Sequence, residues 1–220
     1  MQLCAITDRR VATQPLVSLV ESWSAGGVHF IQLREKDLRA DELESLARDI
    51  MRKIDRSRSK LLVNISTFES AALAVAAGAD GVHLAGKPRP GLVDRVRQTF
   101  RSITPIAGTP IISVPCHSLE DIDVAVQEEV DLMLFSPVFQ KVSREKVSGE
   151  KLSAQAQGLE GLRRACVAAR AKPVFALGGV TADNASDCVA VGATGIAGIR
   201  LFAGEDWRRL QNGPSLGNHI

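Results

Sequence analysis

The chain has 220 residues, with 27 basic and 25 acidic side chains for a net charge of +2, and 45% of it is hydrophobic. That length suits one compact (β/α)8 barrel and is too short for two comfortable domains. Near-neutral charge, the lack of any tyrosine and an aromatic content of only 4% argue against a nucleic-acid or membrane-surface partner.

No apolar run approaches the ~20 residues that span a bilayer. The first residues enter a strand directly, without the basic and apolar segments of a leader, so the expectation is a cytoplasmic protein. Cys4, Cys116, Cys166 and Cys188 show no paired spacing. Neither structural zinc nor a disulfide framework is expected, and Cys4 and Cys188 read as small core residues.

In chain order, Leu3–Thr7 is the first strand, stopped by Asp8, Arg9 and Arg10. Leu16, Leu19, Val20 and Trp23 recur at helical spacing, and Gly26 and Gly27 end that helix. Val28–Leu33 is the second strand, followed at once by Arg34, Glu35, Lys36 and Asp37. Such a charged run is ordinarily a solvated loop. Here Gln32 sits inside the strand, and alternation aims Gln32, Arg34 and Lys36 the same way if the extended backbone continues. That comb suits phosphate or diphosphate oxygens, with arginine as the bidentate member.

Asp41 to Ile54 is amphipathic, with Asp41 as the expected N-cap. Leu61–Ile65 is strand three, and Asn64 near its end is a candidate hydrogen-bonding side chain. Thr67–Ala77 is helix three, Gly81–Leu84 strand four and Leu92–Phe100 helix four. Pro110–Val114 is strand five, with Pro115, Cys116, His117 and Ser118 after it. Ser118 and Asp121 read as a variant capping box. His117 is either a structural neighbour of that cap or an acid/base group on the barrel's active rim.

Leu132–Phe135 is strand six. The irregular stretch Ser136–Gln157, with Lys141, Arg144, Lys146 and Lys151, is long enough to be a functional lid, although a basic loop with no fixed role has the same composition. Gly158–Ala169 is helix six. Pro173–Phe202 then reads strand, Gly178–Gly179, helix to about Val191, and strand Gly195–Ile199, a right-handed βαβ unit. The loops after the last two barrel strands are the usual phosphate site, where glycine lets backbone N–H groups approach an anion. Gly178, Gly179, Gly198 and Arg200 are therefore candidate phosphate contacts, with Arg200 equally explicable as a surface cation. Trp207–Leu210 begins a last helix, and the tail from about residue 211 is expected to fray. The whole reads as one barrel domain over 1–220. Ala77–Val82 echoes Val191–Ile196 before strands four and eight. A flavodoxin-like open sheet would use only five or six of these strands.

From Ala5 to about Phe202 the chain resembles the thiamin phosphate synthase/TenI family. The resemblance is carried by Ala5-Ile6-Thr7-Asp8, Ile31-Gln32-Leu33-Arg34-Glu35-Lys36, Gly81-Val82-His83-Leu84, Cys116-His117-Ser118, Phe135-Ser136-Pro137-Val138-Phe139 and Ala176-Leu177-Gly178-Gly179-Val180. The synthase branch joins a hydroxymethylpyrimidine diphosphate to a thiazole phosphate and expels diphosphate with magnesium. The resemblance implies that Gln32, Arg34, Lys36 and Asn64 hold the pyrimidine and diphosphate, and that Gly178 and Gly179 bind the thiazole phosphate.

The chain departs from that branch where magnesium would be held. Ile65 stands for one carboxylate, and the second falls at about Pro88. Pro115 replaces a small hydroxyl residue, and Lys141-Val142-Ser143-Arg144 replaces a Thr-x-Thr-Lys stretch. Lys87, Lys141 and Arg144 could substitute as fixed positive charge. Isoleucine and proline offer no oxygen ligand to magnesium. The TenI branch tautomerises a thiazole carboxylate phosphate without metal, but its histidine after strand six is Pro137 here. His117, with Glu35 and Asp8 behind it, is the substitute for proton transfer.

The residues thus favour a metal-independent thiazole phosphate tautomerase, with His117, Arg34 and Lys36 in catalysis and no cofactor. The alternative is the synthase, the one case that brings in magnesium. A non-catalytic binder of the same phosphorylated small molecule is the third reading. A homodimer is compatible with all three.

Overall fold

The computed structural model describes residues 1–67, 70–87, 89–103, 108–140 and 155–211. Eight strands form a closed ring: β1 (Gln2–Ile6), β2 (Phe30–Leu33), β3 (Lys60–Ile65), β4 (Gly81–Leu84), β5 (Ile111–Cys116), β6 (Leu132–Phe135), β7 (Val174–Ala176) and β8 (Gly195–Gly198). Every neighbour pair is parallel, in chain order, and β8 closes on β1. The helices between them are α1 (Leu16–Ala25), α2 (Ala40–Met51), α3 (Ala71–Ala76), α4 (Leu92–Ile103), α5 (Leu119–Gln127), α6 (Gly158–Ala168), α7 (Ala185–Ala190) and α8 (Arg200–Ala203). This is the expected (β/α)8 barrel.

Alternation along each strand makes two cores. Outward residues pack under the helices, where Leu16, Leu19, Val20 and Trp23 of α1 are buried as their spacing requires. Inward residues Cys4, Ile6, Leu62, Leu132, Leu134, Phe175 and Ala197 fill the ring. Burial raises the Cys4 thiol to about 12, which fits an inert core residue. Cys188 is buried on the helix side.

The echo between Ala77–Val82 and Val191–Ile196 has a steric basis. Gly81 opens β4 opposite Ile111, and Gly195 opens β8 opposite Gln2. A Cβ on either would strike the facing carbonyl, of Ile111 and Gln2 respectively. Both glycines let the backbone of the neighbouring strand approach closely, β5 at Gly81 and β1, where the ring closes, at Gly195.

Several element ends depart from expectation. The segment α2 begins at Ala40, one residue before the expected cap. Glu42 accepts the Arg39 N–H at 2.9 Å, while Asp41 pairs with the Arg39 guanidinium instead. Strand β5 runs on through Pro115 and Cys116, paired with Leu134 and Phe135 of β6. Helix α3 starts only at Ala71, and α7 only at Ala185, where Asn184 Oδ1 first accepts the Thr181 N–H at 2.8 Å. The last helix is a turn at Arg200–Ala203 followed by a 3₁₀ segment, Asp206–Leu210. The Ser118 cap forms as expected: its Oγ accepts the Asp121 N–H, and Asp121 accepts the His117 N–H at 2.8 Å.

The ring's seam is sealed by aromatics. Trp23 Nε1 donates to the Phe202 carbonyl at 3.1 Å, and the two rings meet edge to face. Phe202 stacks on Trp207 from the other side. Residues 141–154, which hold the four basic side chains of the expected lid, and the tail from residue 212 lie outside the described residues.

Candidate active site

A cavity of about 460 Å³ opens at the C-terminal ends of the strands. Its walls divide by chemistry. Strands β2, β3 and β4 send in Gln32, Asn64 and His83, while Ile6, Leu134, Leu177 and Ile199 supply an apolar side. Arg34 and Lys36 stand above Gln32 on the same wall, so the alternation of β2 persists past its last ladder residue, Leu33.

Neither Arg34 nor Lys36 has a carboxylate partner among the described residues. Arg34 is held from below, its backbone N–H bonded to Thr7 Oγ at 2.9 Å. Gln32 is 2% exposed and donates to Asn64 Oδ1 at 3.2 Å; its own Oε1 is buried and unpaired among the described residues. A buried acceptor in that state invites a donor from a ligand.

His83 is the residue that sequence reasoning passed over. It was visible as the one polar side chain in β4, and its register partner is Asn64. Its Nδ1 lies 2.9 Å from Ser113 Oγ. Burial, with the Arg34 charge nearby, pulls the imidazole down to about 3, so it faces the cavity as a neutral ring.

His117 also lines the cavity. Its Nδ1 is 2.7 Å from the Ser136 carbonyl, which can only accept, so Nδ1 carries a proton and the neutral ring keeps its lone pair on Nε2. Gln157 holds the His117 carbonyl at 3.1 Å. The other two acid/base candidates are turned elsewhere, a correction to the sequence reading. Asp8 is paired with Arg10 and Glu35 with Arg9, and neither lines the cavity.

Gly178 borders the cavity with φ +90° and Gly179 follows with φ +67°. Pro137 would stand 2.9 Å from a Cβ on Gly178, and Phe139 2.7 Å from one on Gly179. Positive φ and close packing both require glycine here. Neither amide N–H has an acceptor among the described residues. Gly198 faces the helix side, toward Leu201 and Phe202, and Arg200 is exposed at the start of α8; neither borders the cavity.

The donor set does not fit a protein-held magnesium ion. The cavity wall carries no carboxylate among the described residues, and no group of three or more His, Cys, Asp or Glu could hold a metal there. Ile65 is packed in the helix-side core, and Pro88 lies outside the described residues.

Residues 3–202 match the family described as thiamine monophosphate synthase, TMP-TENI. The chain belongs to this thiamin-biosynthesis family. A Geobacter sulfurreducens protein, named provisionally as a thiamine-phosphate synthase, is 36% identical over 200 residues, covering 89% of this chain and 83% of that one. The thiamine-phosphate synthase of Geobacillus kaustophilus is 30% identical over 193 residues, covering 86% and 79%. The solved thiamine phosphate pyrophosphorylase of Pyrococcus furiosus is 28% identical, covers 96% of this chain and 94% of its own, and superposes with a TM-score of 0.73. Among the described residues no helix is long and apolar enough to cross a membrane.

Proposed function

We propose that this family member is a thiamin phosphate synthase, coupling a hydroxymethylpyrimidine diphosphate to a thiazole phosphate with release of diphosphate. The synthase names of its relatives support this reading over the tautomerase that the residues alone favoured. One observation carries it: Gln32, Arg34 and Lys36 converge on one cavity with Asn64, two unpaired cations above a buried amide acceptor. A ring amino group would satisfy Gln32 Oε1. Arg34 and Lys36 would take the diphosphate oxygens, on which charge grows as the carbon–oxygen bond breaks and the electron pair leaves with diphosphate. The apolar wall of Ile6, Leu134, Leu177 and Ile199 suits the flat heterocycles. The Gly178 and Gly179 amides would receive the thiazole phosphate.

Magnesium enters this reading only as an ion carried by the substrate's own phosphates, because the described residues do not supply its ligands. That same feature favours a second reading, the metal-independent tautomerase, in which His117 Nε2 accepts the proton. The test is one assay. Protein is mixed with thiazole phosphate and the pyrimidine diphosphate, with and without magnesium, and thiamin phosphate is sought. Product supports the synthase. No product, with turnover of the thiazole tautomer, supports the second reading.

A further inference from the structure

The residues between and after the comb's teeth are tied to a single side chain on another loop. Glu35 lies between Arg34 and Lys36, and Asp37 follows Lys36. Both turn away from the cavity to Arg9, on the loop after β1. The Glu35 carboxylate, 2% exposed, takes the Arg9 backbone N–H on both oxygens at 3.2 Å and Arg9 Nη1 at 3.2 Å. Asp37 takes the same guanidinium in bidentate fashion, at 2.9 and 2.8 Å. Two residues earlier, Thr7 Oγ holds the Arg34 N–H at 2.9 Å.

We propose that Arg9 is a positioning residue for this cavity: it clamps the 34–37 loop from behind so that Arg34 and Lys36 present their charges together to a diphosphate-class anion. The proposal rests on the reading of that comb as the diphosphate grip. Beyond Leu33 the loop has no sheet ladder to fix it. Arg34 and Lys36 are like charges on one wall, and Glu35 between them in sequence turns to Arg9 and pairs with neither, so a free loop would splay them apart. Anchoring Glu35 and Asp37 to Arg9 settles that cost during folding rather than at ligand capture. The Arg9–Asp37 half of the clamp is an exposed ion pair that adds little to global stability, so losing Asp37 registers in anion binding rather than in melting temperature. Losing Arg9 also strips the buried Glu35 carboxylate of its partner.

A direct electrostatic role for Arg9 makes the opposite forecast for its partner. Binding of inorganic pyrophosphate is measured by calorimetry for the wild type, Arg9→Ala, Asp37→Ala, Lys36→Ala and the Arg9→Ala/Lys36→Ala double variant. Positioning requires Arg9→Ala and Asp37→Ala each to weaken binding by about tenfold. Asp37→Ala weakens it although the substitution removes a negative charge. The Arg9→Ala effect largely disappears once Lys36 is gone. Wild-type affinity in Arg9→Ala, unchanged or tighter binding in Asp37→Ala, or full additivity in the double variant overturns the proposal. Should Arg9→Ala melt early, Asp37→Ala tests the clamp from its exposed end. A wild-type protein that does not bind pyrophosphate overturns the comb reading itself and this proposal with it, a result distinct from the variant outcomes.

Discussion

Gln32 spends its amide N–H on Asn64 Oδ1 at 3.2 Å and leaves its carbonyl oxygen buried without a partner among the described residues. An unsatisfied buried group of this kind costs on the order of 1–3 kcal/mol, and a ligand donor relieves it. Gln32→Met should therefore leave thermal stability equal or higher. Affinity for an aminopyrimidine ligand should fall about tenfold or more. Unchanged affinity, measured by calorimetry, would detach Gln32 from ligand recognition.

Arg34 and Lys36 line the cavity without a carboxylate partner among the described residues, so their loss should appear in binding of the diphosphate substrate. Arg34→Ala should raise its Kd by about 100-fold, because a fork-shaped, charge-assisted contact disappears. Lys36→Ala should cost less, about tenfold, since lysine acts as a point charge. Wild-type affinity in Arg34→Ala would show the comb to be a relic.

The hydrogen bond from His117 Nδ1 to the Ser136 carbonyl leaves Nε2 to take a proton. If the protein turns over the thiazole tautomer, His117→Ala should slow that turnover by about 100-fold with little change in ligand affinity. Steady-state kinetics that show an unaltered kcat would remove His117 from proton transfer.

His83 gives a pH signature. In the folded chain its imidazole is held down to about 3, first by burial and then by Arg34; unfolded, it takes a proton near 6.5. Between those values the unfolded state binds more protons, so stability is lost as pH falls through that window. Urea unfolding of the wild type should show a decline on the order of 1 kcal/mol per pH unit from this group. His29, also lowered by burial, adds to the same trend. His83→Asn should flatten the slope by about one proton's worth, and an unaltered slope would place the titration elsewhere.

Gly81 and Gly195 should tolerate no side chain. Each faces a backbone carbonyl of the next strand, and a main chain cannot swing aside as a side chain can. Gly81→Ala and Gly195→Ala are each expected to cost about 3 kcal/mol or more by denaturant titration. A loss under 1 kcal/mol would mean that the ring relaxes more freely than close packing allows.

Much of this was legible because barrels punctuate their sequences. Short apolar runs bounded by glycine, proline, hydroxyl or charged residues marked all eight strands, and the period-2 rule carried the comb beyond Leu33. Contacts between distant segments were not legible. Nothing near Thr7 or Arg9 announces that they brace a loop more than 25 residues on, as their hydrogen bonds do. Glu35 reads as an acid at an active rim until its carboxylate is found wrapped by Arg9. His83 was hidden by its own strand, where one histidine among apolar neighbours looks like core. The short α3 and α7 reflect turn chemistry at Ser70 and Asn184 winning over helix-compatible spacing upstream.

Trp23 and Trp207 are the chain's two tryptophans, and both lie against Phe202. The protein's intrinsic emission is thus concentrated at one joint, where the last strand–helix unit meets the first. In a stopped-flow refolding trace, the tryptophan signal would act as a local clock for the moment when the two ends of the chain find each other. Circular dichroism would follow the other seven joints on its own timescale, and any lag between the two traces would date the closing of the ring.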